Sequence, residues 1–334
     1  MLAMVLRAAH SPLVAELRPD PVPEHGEVCV RVGACGVCRT DLHLVDGELP
    51  QAVYPVVPGH EIVGRIDAIG AGVRGFGIGD RVGIPWLGRT CGICPYCQGG
   101  RENLCDAPAF TGCTRDGGYA THVLADARYV LALGEAGEDA DLAPLLCAGL
   151  IGWRSLVAAG PGPRLGLYGF GAAAHLVLQV ARWQRRDVFA YTRPGDRAAQ
   201  AFARELGAAW TGGSDDMAPE PLDAAIVFAP VGALVPRALR AVRKGGRVVC
   251  AGIHMSDIPA FPYRLLWGER QLQSVANLTR CDGTDFLRIA AAAGVRCETT
   301  RYPLADANRA LDALREGRVR GAAVLVPCGG QATR

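Results

Sequence analysis

Lysine is nearly missing from this chain. Lys244 is the only one, so arginine supplies almost all of the positive charge. Acidic residues nearly balance it, and the formal net charge is +2. No run of basic residues stands out, which argues against a nucleic-acid or membrane-surface partner. No apolar run reaches the length that crosses a bilayer. The opening stretch, Met1-Leu2-Ala3-Met4-Val5, has neither the basic region nor the long apolar core of a secretory leader. These absences lead to the expectation of a cytoplasmic protein. Internal repeats and low-complexity tracts are also absent. Half of the 334 residues are hydrophobic and a fifth are charged, a balance that suits two globular domains.

Cysteine, by contrast, is abundant. There are 13, an odd number, and four lie between Cys91 and Cys105. Such clustering does not suggest a secreted disulfide framework; in a cytosolic chain it points to metal.

The texture changes along the chain. Glu27 to Val32 alternates as a half-buried strand should, and 62–69 and 81–84 are further strand candidates between Gly-rich turns. A helix is expected over 144–159. From Arg164 the pattern becomes strand, helix, strand, helix: strands near 165–168, 188–191, 224–228, 247–250 and 271–276, helices over 172–184, 197–206 and 234–242. That alternation predicts right-handed βαβ units and a parallel sheet covered on both faces. The tail carries helical stretches at 285–293 and 306–315 and a final strand at 322–326.

The segment from Arg89 to Pro108 has little periodicity and needs a staple to hold one shape. Cys91-x2-Cys94-x2-Cys97-x7-Cys105 matches a closed tetrahedral zinc site. Metal binding there would supply the folding free energy. The alternatives are a disulfide pair or an iron–sulfur cluster. The ferredoxin-type run has a shorter last gap and a proline after its final cysteine, whereas here Pro95 follows the second.

A second set is dispersed. Cys38, His60 with Glu61, and Cys147 would bring two thiolates and an imidazole to one zinc, with the fourth position open to water or substrate. Taken singly, His60 reads as a core histidine and Cys147 as a small buried hydrophobe. Their flanking of the four-cysteine segment favours the joint reading.

Leu167-Tyr168-Gly169-Phe170-Gly171-Ala172-Ala173-Ala174 follows a strand and opens a helix. That is the context in which G-x-G-x-x-G/A binds a dinucleotide. Gly169 permits the turn, Gly171 lets backbone approach the pyrophosphate, and Ala174 stands where a third glycine often lies. An NAD site places Asp or Glu at the end of the second strand. This chain has Tyr191-Thr192-Arg193-Pro194. Thr192 can hydrogen-bond a phosphate and Arg193 can pair with it, which favours NADP(H) over NAD(H).

With these motifs, and with Gly36-Val37-Cys38-x-Thr40-Asp41-x-His43, Pro58-Gly59-His60-Glu61-x-x-Gly64 and Cys147-Ala148-Gly149, the chain resembles the zinc-dependent alcohol dehydrogenases of the medium-chain dehydrogenase/reductase superfamily. The likeness covers essentially the whole chain. It implies an α/β fold: a GroES-like β-rich catalytic domain at 1–150, completed by 283–334, and a Rossmann doubly wound parallel sheet at 151–282. The active cleft would lie at their junction. It implies two zinc ions per chain, one catalytic on Cys38, His60 and Cys147 and one structural on Cys91, Cys94, Cys97 and Cys105. Glu61 would sit behind the catalytic metal and Asp41 would orient the histidine ligand. Thr40 and His43 resemble a proton relay, in which the hydroxyl takes the alcohol proton and passes it through the cofactor ribose to an imidazole at the surface. Trp86 would line the substrate pocket and narrow it for small or slender alcohols and aldehydes. Homo-oligomers, dimers or tetramers, are usual in the family. A zinc-free quinone-reductase-like or non-catalytic nucleotide-binding relative is the alternative, and the four-cysteine segment argues against it.

Two positions depart from the family pattern. An Arg usually follows the Gly that opens the last strand and reaches the cofactor, whereas here Ala322 follows Gly321; either Arg318 or Arg320 substitutes or the contact is absent. Ile151 replaces a usual Thr near the nicotinamide.

Overall fold

The computed structural model describes residues 1–327. They divide into two compact units. One comprises Met1–Cys147, Leu278–Thr284 and the chain from Cys297; the other comprises Ala148–Asn277 and Asp285–Arg296. Residues 328–334, the end of the expected completing tail, lie outside the described residues.

In the first unit the strand Glu27–Val37 is the spine. It pairs antiparallel with Ile62–Ile69, with His122–Asp126 and with Ala322–Val326. Arg81–Ile84 and Leu131–Ala132 extend one side of this sheet, and Thr299–Pro303 closes the other. The expected strand stopped at Val32; the observed one runs five residues further, to Val37. Small residues allow it. A Cβ at Gly33 would lie 1.8 Å from Asp139 Oδ2, and one at Gly36 would lie 1.8 Å from Glu61 Oε2. The polar side chains of neighbouring segments therefore close over bare backbone.

Arg81, at 4% exposure, ties the chain that leads toward Cys147. Its Nε bonds Asp139 Oδ1 at 2.8 Å, and its other nitrogens donate to the carbonyls of Gly134, Ala136 and Gly137. A buried guanidinium is tolerated because nearly every donor is used.

The second unit is built on six parallel strands. Their spatial order is Trp210–Gly213, Asp187–Thr192, Arg164–Tyr168, Leu222–Val227, Val242–Cys250, Gln271–Ser274. The chain starts in the middle, winds to one edge and then to the other, as in a doubly wound dinucleotide fold. Leu165, Leu167, Val188 and Ala190 are fully buried, as strands covered on both faces require. Tyr168 and Tyr191 stack across neighbouring strands at 4.1 Å. The edge strand Trp210–Gly213 was not legible, because its two glycines break any apolar run. No single helix among the described residues is long and apolar enough to cross a membrane.

The helix expected over 144–159 is broken. Ala143–Leu146 is a 3-10 turn with Pro144 in its first turn, Cys147 leaves helical geometry at φ −133°, and the α-helix proper is Ala148–Ala159. The apolar run continues through the break, so composition alone does not reveal it.

Replacing Arg81 by Met should leave Asp139 and three carbonyls without their cation. We expect a loss of about 3 kcal/mol, read as a lower urea midpoint; an unchanged midpoint would contradict the role assigned to this side chain.

Candidate metal and cofactor sites

Cys38 stands at the N-cap of the short helix Arg39–Val45, where a hydroxyl residue is usual. Thr40 N donates to Cys38 Sγ at 3.2 Å, and Cys38 N donates to Asp41 Oδ2 at 2.9 Å. This reciprocal box holds the sulfur in place. His60 and Glu61 follow Gly59, which has φ +99°; a Cβ there would lie 2.4 Å from Tyr119 Cδ1. The backbone of 57–59 is clamped by the amides of Gly117, Gly118 and Tyr119, which donate to Val57, Pro58 and Gly59 carbonyls. Cys147 occupies the break described above. Three separate segments thus converge: Cys38 Sγ is 3.1 Å from His60 Nε2 and 4.0 Å from Cys147 Sγ. One ligand atom each from Cys38, His60, Glu61 and Cys147 lie within 4.8 Å of one another.

The electrostatics ask for a cation. Burial pushes the Cys38 thiol up, but hydrogen bonds from Cys147, His60 and Thr40 and the charge of His60 outweigh it and hold it well below the ordinary thiol. Cys147 is driven well above its ordinary value by its bond to Cys38 and by burial. Glu61 is driven well up by burial and then by the Cys38 charge. Without metal, Cys147 and Glu61 therefore keep protons that a divalent cation would displace. His60 Nδ1 is buried without a hydrogen bond; Asp41 Oδ1 lies 3.5 Å from it. Asp41 is thus placed to orient the imidazole once Nε2 is engaged. The donor set, two sulfurs and one imidazole with a carboxylate beside them, fits zinc.

Thr40 is half-buried at the start of the same helix. His43 departs from expectation. It is not a surface imidazole but is 7% exposed, with Nδ1 2.5 Å from Glu48 Oε2. Glu48, whose side chain is 39% exposed, is the group that reaches solvent. The reading of the motif missed it because nothing in the spacing pairs position 43 with a loop acid five residues on. Trp86 is buried, edge-on to His60 at 4.9 Å and stacked on Phe110. It packs directly against the imidazole of the cluster.

Cys91, Cys94, Cys97 and Cys105 also converge, with ligand atoms within 4.8 Å of one another. Cys105 Sγ lies 3.5 Å and Cys97 Sγ 4.0 Å from Cys91 Sγ. These gaps are far too long for a disulfide, and they bracket the edge of a ZnS4 tetrahedron, about 3.8 Å for Zn–S bonds of ~2.3 Å. Backbone amides of Asp106 and Cys97 pull the Cys94 thiol down to about 6, while burial lifts Cys105 to about 11. The segment is anchored by Glu102, whose Oε1 accepts from the Arg280 amide and guanidinium at 3.0 and 3.1 Å.

In the second unit, Gly169 has φ +91°, and a Cβ there would meet Ala229 at 2.9 Å. Gly171 precedes the helix Ala172–Trp183, and a Cβ on it would meet nothing within 4 Å. The turn therefore leaves open space at the helix N-terminus, as a bound pyrophosphate needs. Ala174 is fully buried. Thr192 departs from expectation. It is 3% exposed, and its hydroxyl donates toward the Arg193 and Gly212 carbonyls and accepts from Gln200 Nε2. It stitches the strand end together and does not present a hydroxyl outward. Arg193 is exposed, and so is Arg197, which opens the next helix and was not singled out in the sequence. Arg320 and Arg318, the expected substitutes for an arginine at Ala322, pair with Glu298 and Glu316.

Gly59→Ala should force a left-handed residue with a side chain against Tyr119. We expect a destabilisation of about 1–3 kcal/mol and weaker retention of the metal beside His60, read by denaturation and by zinc analysis after dialysis. Unchanged stability and metal content would remove Gly59 from this account.

Comparison with known proteins agrees with the geometry. The alcohol dehydrogenase GroES-like domain family matches residues 24–135. A probable alcohol dehydrogenase, AdhA, of Mycobacterium tuberculosis is 49% identical over 314 residues, covering 92% of this chain and 90% of that protein. An alcohol dehydrogenase of Geobacillus stearothermophilus is 35% identical, covering 97% and 99%. Among solved structures, a cinnamyl alcohol dehydrogenase of Sorghum bicolor superposes with a TM-score of 0.89 at 26% identity, over 100% of this chain and 99% of that one. The chain belongs to the zinc-dependent alcohol dehydrogenase family of the medium-chain dehydrogenase/reductase superfamily.

Proposed function

We propose that this alcohol dehydrogenase interconverts small primary or secondary alcohols with their aldehydes or ketones, carries two zinc ions per chain, and uses NADP(H) in preference to NAD(H). The observation that carries the reading is the convergence of Cys38, His60, Glu61 and Cys147 ligand atoms within 4.8 Å. When bound, zinc supplies Lewis acidity toward the substrate oxygen and the nicotinamide supplies the hydride acceptor.

The chain's own residues do the rest. Cys38, His60 and Cys147 would hold the catalytic metal, with the Glu61 carboxylate beside them. Asp41 orients His60. Thr40 takes the hydroxyl proton of the alcohol, since a hydroxyl both accepts and donates. His43 is the outer proton acceptor. Trp86 beside His60 narrows the site and favours slender substrates. The four-cysteine segment holds the second, structural zinc. Assembly as a dimer or tetramer belongs to the same reading, as does action in the cytoplasm.

The cofactor preference now rests on Arg193 and Arg197. Both are exposed, and neither has an ion-pair partner among the described residues. The Gly169 amide bonds the Tyr191 carbonyl at 2.8 Å, which sets the nucleotide turn beside this strand end. A 2′-phosphate is the anion such a pair of guanidinium groups would accept.

Metal analysis with kinetics tests the first part. Wild type should hold two zinc ions per chain. Cys147→Ala should hold one and lose turnover while keeping its melting temperature close to wild type. Cys94→Ala should also lose one, but with a large drop in melting temperature. A Cys147→Ala variant with both metals would sink the ligand assignment. The second part is checked by Arg193→Ala with Arg197→Ala. Their kcat/KM for NADP(H) should fall by about tenfold or more while that for NAD(H) holds; parallel losses would exclude phosphate recognition at this tip.

A further inference from the structure

The helix Arg39–Val45 carries His43 into the interior, and the loop after it turns back on the ring. Glu48 Oε2 lies 2.5 Å from His43 Nδ1, and the Glu48 amide donates to the His43 carbonyl at 2.9 Å. The other acid of this loop is already engaged. Asp46 holds the Arg315 guanidinium through two bonds, at 2.6 and 2.8 Å. Glu48 is therefore the carboxylate assigned to the imidazole.

A carboxylate only accepts, so the ring nitrogen facing it must carry the hydrogen. Nδ1–H then donates to Glu48, and Nε2 is left as the basic nitrogen. Imidazole in water prefers the opposite tautomer, with hydrogen on Nε2, which could not accept a proton there. A buried ring with no carboxylate beside it would also bear the charge of an accepted proton at greater cost.

We propose that Glu48 is a positioning residue that holds His43 in its Nδ1–H tautomer and so makes Nε2 the proton acceptor of the relay. The proposal rests on the reading of Thr40 and His43 as that relay. Only N–H and O–H bonds change in the step: a proton arrives at Nε2, and the resulting imidazolium is held by the Glu48 carboxylate. Because Glu48 is partly exposed, the pair also spans from the buried ring to solvent.

The test uses the zinc-loaded, full-length enzyme. Nitrogen-15 spectra of the His43 ring should show the Nδ1–H tautomer in wild type. In Glu48→Ala the ring should move to a mixed or Nε2–H signature. Single-turnover alcohol oxidation should slow on the order of tenfold, part of the ~10²–10⁴ that a positioned proton acceptor contributes. KM for the cofactor and the melting temperature should stay near wild type. Glu48→Gln, which keeps an accepting oxygen, should recover part of both the signature and the rate. His43→Gln serves as the reference. If His43→Gln slows the reaction while Glu48→Ala keeps the wild-type tautomer or the wild-type rate, Glu48 is only a loop latch and the proposal is overturned. If His43→Gln itself keeps full rate, the relay reading fails and the proposal falls with it.

Discussion

Two thiols, a carboxyl and an imidazole crowd around one point, and Asp41 stands just behind them. His60, Glu61 and Asp41 are buried and the two thiols are partly so, which leaves little solvent to relieve the repulsion of like charges. Cys147 is pushed up by its bond to Cys38 and by burial, and Glu61 by burial and the Cys38 charge, while Cys38 is held down against burial by its hydrogen bonds and the His60 charge. A divalent cation resolves the conflict, and the surrounding backbone is shaped to keep the four groups together. Gly36 leaves room for the Glu61 carboxylate, and Gly59 lets the chain turn under Tyr119. The capping box fixes Cys38, and the break at Cys147 releases a residue that a continuous helix would have held in its own register.

The second unit solves a different problem with the same means. A parallel sheet buried on both faces offers few places where backbone amides meet solvent. The turn from Tyr168 through Gly171 is one of them, because Gly169 supplies the conformation and Gly171 leaves the space. Selectivity between cofactors is then a matter of what stands at the neighbouring strand end. At that end Arg193 and Arg197 are exposed, the Asp196 carboxylate between them caps the next helix through Ala199 N, and Thr192 is consumed in holding the strand tip.

Much of this was legible in the residues. The βαβ alternation from Arg164 is a periodic signal, and nearly every strand and helix of the second unit fell within a few residues of its expected place. The four-cysteine spacing is local and survives without tertiary information. The strand end beyond Val32, the edge strand at Trp210 and the break at Cys147 were not legible. Each depends on what packs against small residues, or on a turn inside an apolar run, and neither leaves a periodic trace. His43 was expected at the surface and is buried, because its exposure depends on the loop that folds back over it.

By itself, then, the sequence determined the chemical inventory and its local spacing: which thiols, imidazoles and glycines exist and which short segments hold them. Short-range spacing suffices for that, since a helix cap, a nucleotide turn or a four-cysteine loop is made by neighbours in the chain. Tertiary structure alone decided the pairings across long separations that no motif announces: Arg81 with Asp139 and Glu102 with Arg280. It also decided which hydroxyls and arginines face outward. Those outcomes follow from burial and from competition for hydrogen-bond partners, which are settled only when the sheets close.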